Sequence, residues 1–156
     1  MPCSTRKLEE PPMIPIPYIT FHGNCVEAMA EYARIFDAPP ANVMTFSEAP
    51  QEMRDSLPEA SPQAVMHAAL KIGDGWIYAS DDIMGGTPEM SGCSITIDLP
   101  DVARARAVFD ALAEHGQIHM EFAKTFWSEG FGTLTDRYGT RWMVGVEAPM
   151  PDQPQS

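Results

Sequence analysis

CSITIDLPDVARARAVFDALAEHG, residues 93–116, is the stretch from which the fold can be read. Ile95, Ile97 and Leu99 alternate with Ser94, Thr96 and Asp98, the two-residue period of a half-buried strand. Asp101 then offers a carboxylate to cap a helix, and Val102, Ala105, Val108, Phe109 and Leu112 recur at helical spacing. Gly116 reads as the C-terminal cap of that helix. Downstream, residues 118–122, 131–135 and 141–146 read as three strands, with the last turn at 136–139. The unit is strand, helix, strand, strand, strand.

The same order precedes it. Residues 14–21 are rich in strand formers, and Pro15 and Pro17 suit an edge or a strand start. Asn24 followed by Glu27 has the spacing of a capping box, and Val26, Met29, Ala30, Ala33 and Phe36 form an apolar stripe. Pro39-Pro40 ends that helix. Strands follow at 42–47, 64–72 and 76–80, the last two joined by Gly73-Asp74-Gly75. Residues 49–62 are acidic with three prolines, so they read as an exposed loop that would also serve as a lid. The expected organisation is an N-terminal tail (1–12), a first βαβββ module (13–84), a linker (85–91), a second βαβββ module (92–147) and a C-terminal tail (148–156). The modules share element order rather than literal sequence, a signature of internal duplication.

Composition narrows the function classes. The chain has 156 residues, 44% hydrophobic and 21% charged, with a formal net charge of −12. That balance suits one packed domain and opposes nucleic acid and anionic membrane surfaces, both of which need clustered Lys and Arg. It would favour a cationic ligand. Cys3, Cys25 and Cys93 are odd in number and widely spaced, so neither a disulfide framework nor a zinc site is implied. With no apolar run long enough to span a bilayer, a cytoplasmic location is expected.

Particular residues carry a family resemblance. They are Pro17-Tyr18-Ile19-Thr20-Phe21, Gly23-Asn24, Glu27-Ala28, Tyr32, Ile35-Phe36-Asp37-Ala38, Met66-His67-Ala68 and Ser80-Asp81 in the first half. The second half adds Thr125-Phe126-Trp127, Gly130-Phe131-Gly132 and Asp136-Arg137-Tyr138-Gly139-Thr140-Arg141-Trp142. In order and spacing these resemble the PhnB-like (YjdN-type) branch of the vicinal-oxygen-chelate superfamily, the glyoxalase, bleomycin-resistance and dioxygenase group. The resemblance implies an α+β fold in which two βαβββ modules form a curved mixed sheet around a cleft, and a homodimer.

It also implies where a metal would sit: on the first strand of each module and on the last strand. By the resemblance those positions fall on Pro17, on Ser94, which aligning the modules on Asn24 and Asp101 pairs with Pro17, and on Met143, four residues after the turn glycine; none is a standard ligand. No cofactor is therefore expected, and a divalent metal is the alternative. The same alignment pairs Ile19 with Thr96 and Phe21 with Asp98, placing all four on the cleft side, with Tyr18, Thr20, Ile95 and Ile97 under the helices. The expected ligand-binding residues are His67, Trp127, Met143, Phe21, Ile19 and Asp98, with Trp142 in the core. His67 alternates with apolar neighbours, and an imidazole there suits a general base or a ligand contact; a solvated His fits equally. Trp127 would wall a pocket or fill core. Asp98 would pair with a cationic ligand or with Arg141, and Cys25 is either a nucleophile or a packed, inert thiol. Three functions fit: a small-molecule-binding protein without a metal; a metal-dependent lyase, isomerase or dioxygenase; and an association scaffold. Nothing in the sequence forms a phosphate cradle or an Arg cluster, so phosphonate chemistry is not inferred.

Overall fold

The computed structural model describes residues 13–148; residues 1–12 and 149–156, which hold Cys3 and most of the expected tails, lie outside it. Tyr18–Phe21 (β1) leads into Cys25–Ile35 (α1), then Asn42–Thr45 (β2), the short helix Gln51–Ser56 (α2), Val65–Ile72 (β3) and Gly75–Asp81 (β4). Ile95–Leu99 (β5), Val102–Ala113 (α3), Gln117–Ala123 (β6), Phe131–Thr135 (β7) and Arg141–Val146 (β8) repeat the order. The sheets are β1-β4-β3-β2 and β5-β8-β7-β6. In each, the first strand runs parallel to the last and the others are antiparallel. A parallel neighbour demands a crossover, and the helix of each module supplies it. This is the α+β arrangement of two βαβββ modules.

Each helix covers one face of its own sheet. Ala105, Val108, Phe109 and Leu112 of α3 share the core with Leu99, Leu134, Trp142 and Val144, close to the expected stripe. On α1 the buried residues are Cys25, Ala28, Met29 and Tyr32, while Val26 and Ala30 of the expected stripe are exposed. The stripe is rotated because Tyr32 belongs to the core. Its ring packs edge-on to Trp142 at 5.3 Å. Its hydroxyl donates to Asp136 Oδ2 at 2.6 Å and lies 2.8 Å from Thr140 Oγ1. Asp136 also accepts from Trp142 Nε1 at 2.8 Å and from the backbone N–H groups of Tyr138 and Thr140. A buried carboxylate is tolerable only when donors surround it, and this one ties α1 of the first module to the last turn of the second.

The caps differ from expectation. Asn24 makes no capping bond, and its Oδ1 is buried without a partner. The first N–H of α1, from Cys25, instead donates to Asp81 Oδ1 at 3.0 Å, and Asp81 Oδ2 accepts from the Val65 N–H at 2.9 Å. Asp101 does cap α3, accepting from the Arg104 N–H at 2.7 Å. At the other end of α3 the left-handed residue is His115, with φ 60°, rather than Gly116. Gly116 answers a different need: a Cβ there would lie 2.4 Å from the Thr135 carbonyl oxygen. The acidic segment expected as a loop holds α2, an exposed helix that starts after Pro50.

The largest correction concerns β1. Ile19 and Phe21 are 5% and 1% exposed and belong to the core cluster, whereas Tyr18 is 51% exposed. Ile95, Ile97 and Leu99 do face the core as expected. Three residues separate β1 from α1, but only two separate β5 from α3. Aligning on the helix caps therefore slides β1 by one position, and a one-residue slip turns every side chain to the other face. The equivalent pairs are Ile19 with Ile97 and Phe21 with Leu99. The correct open-face residues of β1 are Tyr18 and Thr20.

Candidate functional site

Opposite its helix, each sheet presents an open face. On the first sheet, parallel register sets Tyr18 of β1 beside Tyr78 of β4. Exposed His67 projects from β3, opposite in direction to buried Ala68. Its imidazole meets the Tyr78 ring edge-on at 5.0 Å and lies 6.1 Å from the Tyr18 ring. Trp76 continues this strip, 6.5 Å from Tyr78. The two tyrosines hold the imidazole by packing, and among the described residues neither ring nitrogen has a hydrogen-bond partner. A histidine held this way can offer a donor or an acceptor to a bound molecule.

On the second sheet, Met143 of β8 lies between Thr96 of β5 and Thr133 of β7. Its neighbours Trp142 and Val144 are buried on the helix side, so Met143 is on the open face, as expected. Two residues further, Gly145 lies between Asp98 and Phe131. Trp127, 51% exposed, stands edge-on to Phe131 at 5.6 Å, and Phe126 stands edge-on to Trp127 at 4.6 Å. The expected Asp98–Arg141 pair does not form: Arg141 lies at the other end of β8, where its Nε donates to Ser94 Oγ at 3.5 Å.

The expected site residues thus fall into three groups. His67 belongs to the open face of the first sheet. Trp127, Met143 and Asp98 share the open face of the second. Ile19 and Phe21 are core. Sequence reasoning missed Tyr18, Tyr78, Phe131 and Gly145. A glycine inside a strand signals a close approach, and Gly145 carried that signal.

The donor set does not fit a metal centre. Among the described residues, no three His, Cys, Asp or Glu side chains gather in a group able to hold an ion. His67 has two tyrosine rings beside it and joins no such group among the described residues, and Asp98 belongs to the other sheet. His115 lies near Glu114, and His119 bonds Thr135 Oγ1 at 2.7 Å, so the His-x-x-x-His pair does not converge. Cys25 is fully buried, and burial, reinforced by the neighbouring Asp81 carboxylate, pushes its thiol pKa up to about 12. That is the reverse of what a nucleophilic cysteine needs.

Comparison with known proteins shows the family and the fold. The family model described as 3-demethylubiquinone-9 3-methyltransferase matches residues 14–145. Protein YjdN of Escherichia coli K12 is 35% identical over 144 residues, 88% of this chain and 97% of YjdN. The chain belongs to the PhnB-like, YjdN-type family. The PhnB protein of Bacillus cereus, 21% identical, superposes with a TM-score of 0.72 over 86% of this chain and 100% of its own. A glyoxalase/bleomycin-resistance/dioxygenase domain from Frankia, 10% identical, gives a TM-score of 0.60 over 88% and 98%. These two likenesses concern the fold. They show the two-module βαβββ fold in those proteins as well. Among the described residues, no helix is long and apolar enough to cross a membrane.

Proposed function

We propose that this PhnB-like protein binds a small organic molecule against its open sheet faces and does so without a metal ion. The observation that carries the reading is the composition of those faces. Each combines exposed or half-buried apolar side chains with a few polar groups: Tyr18, Tyr78 and Trp76 on the face of His67, and Trp127, Phe131 and Met143 on the face of Asp98. Mostly apolar walls with sparse polar groups are the usual make-up of small-molecule sites. A metal-dependent lyase, isomerase or dioxygenase would need converging donors, which favours binding over that chemistry. The methyl transfer named in the family description calls for a donor-binding loop. The chain's consecutive glycines, Gly85-Gly86, lie between the modules, where the Gly85 and Thr87 N–H groups already bond the Asp82 carboxylate.

The assembly proposed with this reading is a homodimer. Edge strand β6 is exposed over all but Phe122, with Ile118 and Met120 at 40% and 47%, and such edges are ordinarily covered. The test is a ligand screen by thermal shift, because a ligand that prefers the native state raises its stability. Hits whose effect disappears in both His67→Ala and Trp127→Ala support the reading. Hits indifferent to both variants overturn it.

A further inference from the structure

We propose that the Gly145 end of the second sheet's open face is a subsite for an organic cation with an aromatic or branched apolar body. This rests on the small-molecule reading above and names the class of ligand. The subsite is built around a missing side chain. Asp98 Oδ1 lies 2.7 Å, and Phe131 Cδ2 3.5 Å, from the point a Cβ of residue 145 would occupy. Any residue but glycine would displace the carboxylate. Glycine leaves open the space over β8 that the Asp98 carboxylate borders from β5 and the Phe131 ring from β7.

The carboxylate is also unneutralised. Asp98 is exposed and has no hydrogen-bond or ion-pair partner among the described residues. Arg141 is on the same face but four residues along β8, about 13 Å away at the rise of a strand, and is turned to Ser94. Beyond Phe131 the wall continues through Trp127 to Phe126, which is 97% exposed. Met143 supplies an adaptable floor.

This combination discriminates between ligands. Ring faces attract cations through their quadrupole, and the effect is greatest for weakly hydrated organic cations that shed water cheaply. The carboxylate adds the full charge, and the net charge of −12 favours cations over anions at longer range. A metal ion is poorly served, because one carboxylate with aromatic neighbours leaves most of its coordination unfilled.

The test is an NMR titration that follows the three tryptophan indole N–H signals, with Trp127 assigned by Trp127→Phe. The probes are phenyltrimethylammonium, its uncharged isostere tert-butylbenzene, and benzoate. The expected result is a saturable shift of the Trp127 signal with phenyltrimethylammonium, at least tenfold weaker in Asp98→Asn. Tert-butylbenzene should bind more weakly than the cation, and benzoate least. Asp98→Asn keeps the side-chain shape at an exposed position, so its thermal unfolding should match the parent. Equal binding of the cation to Asp98→Asn, or preference for the uncharged or anionic probe at Trp127, overturns the cation subsite and leaves the small-molecule reading standing. If no probe shifts Trp127, the subsite falls and so does the part of that reading which depends on the second sheet.

Discussion

Replacing Tyr32 with Phe removes one oxygen from the junction between the modules. The ring should stay, because it is held by Phe21, Trp142 and Tyr138. What is lost is the donor to Asp136 Oδ2 and the contact with Thr140 Oγ1. Asp136 keeps Trp142 Nε1 and two backbone donors, so it is weakened rather than abandoned. A hydrogen bond to a charged group contributes about 1.5–3 kcal/mol, and the variant should lose about that much. Urea unfolding at pH 7 should therefore show a lower midpoint with an unchanged slope. The alkaline limb gives a second readout. Burial, together with the Asp136 carboxylate, raises the Tyr32 pKa above its ordinary value of 10.0. A raised pKa means that the folded state favours the neutral phenol. That contribution is complete below pH 10 and is lost as pH climbs from there towards the folded-state value. The parent should lose stability at up to about 1.4 kcal/mol per pH unit from this group, and Tyr32→Phe should lack that component. Cys25 contributes its own alkaline loss, from 9.0 towards 12, but equally to both proteins. The gap between the two should thus narrow above pH 10. A variant as stable as the parent at pH 7, or a gap that stays constant to pH 11, would refute the account of this junction.

Other consequences are simpler. Asp81→Ala leaves the Cys25 and Val65 N–H groups without their carboxylate and should cost roughly 3 kcal/mol, measured by chemical denaturation. Leu70→Ala, at a fully buried position, should cost about 2–5 kcal/mol, whereas exposed His67→Ala should leave folding nearly unchanged while weakening ligand binding by about 1–3 kcal/mol. The Thr87 and Gly85 N–H groups hold the Asp82 carboxyl below its ordinary 3.8, so the protection of those two amides, measured as exchange relative to the unstructured chain at the same pH, should persist at and above pH 3.8 and fall as pH drops through the lowered value. Light scattering should report a dimer; a monomer across a wide concentration range would count against the proposed assembly.

Much of the architecture could be read from periodicity. Strands β7 and β8, the α3 stripe and the Asp101 cap needed only alternation, helical spacing and a capping residue. Less legible were features in which a polar side chain does a distant neighbour's work. Asp81 caps a helix that begins 56 residues earlier, and Tyr32 is core because its hydroxyl meets Asp136, 104 residues on. A local reading credits the cap to Asn24 and leaves Tyr32 off the apolar stripe, because propensity and pattern see only near neighbours. Helix α2 was obscured for a related reason: it buries nothing, so it leaves no apolar stripe to detect.

For the site, one loop residue made the difference. The extra residue among His22, Gly23 and Asn24 shifts the strand–helix spacing of the first module relative to the second. Matching the modules by their caps then puts Ile19 and Phe21 in the cleft and hides Tyr18. Once β1 is turned over, the open faces are no longer two copies of one surface. The first is aromatic around a histidine; the second sets a carboxylate over a glycine beside aromatic rings. The expected metal position changes too, since the corrected spacing matches Ser94 with Ile16 instead of Pro17. Ile16 has no donor side chain, and among the described residues no three His, Cys, Asp or Glu side chains form a group able to hold an ion. A converging donor set is thus missing from the described residues in either alignment. The corrected register sets Tyr18 beside His67 on the open face and leaves Ile19 and Phe21 to the core, so the first sheet's face is more aromatic than the cap alignment implies.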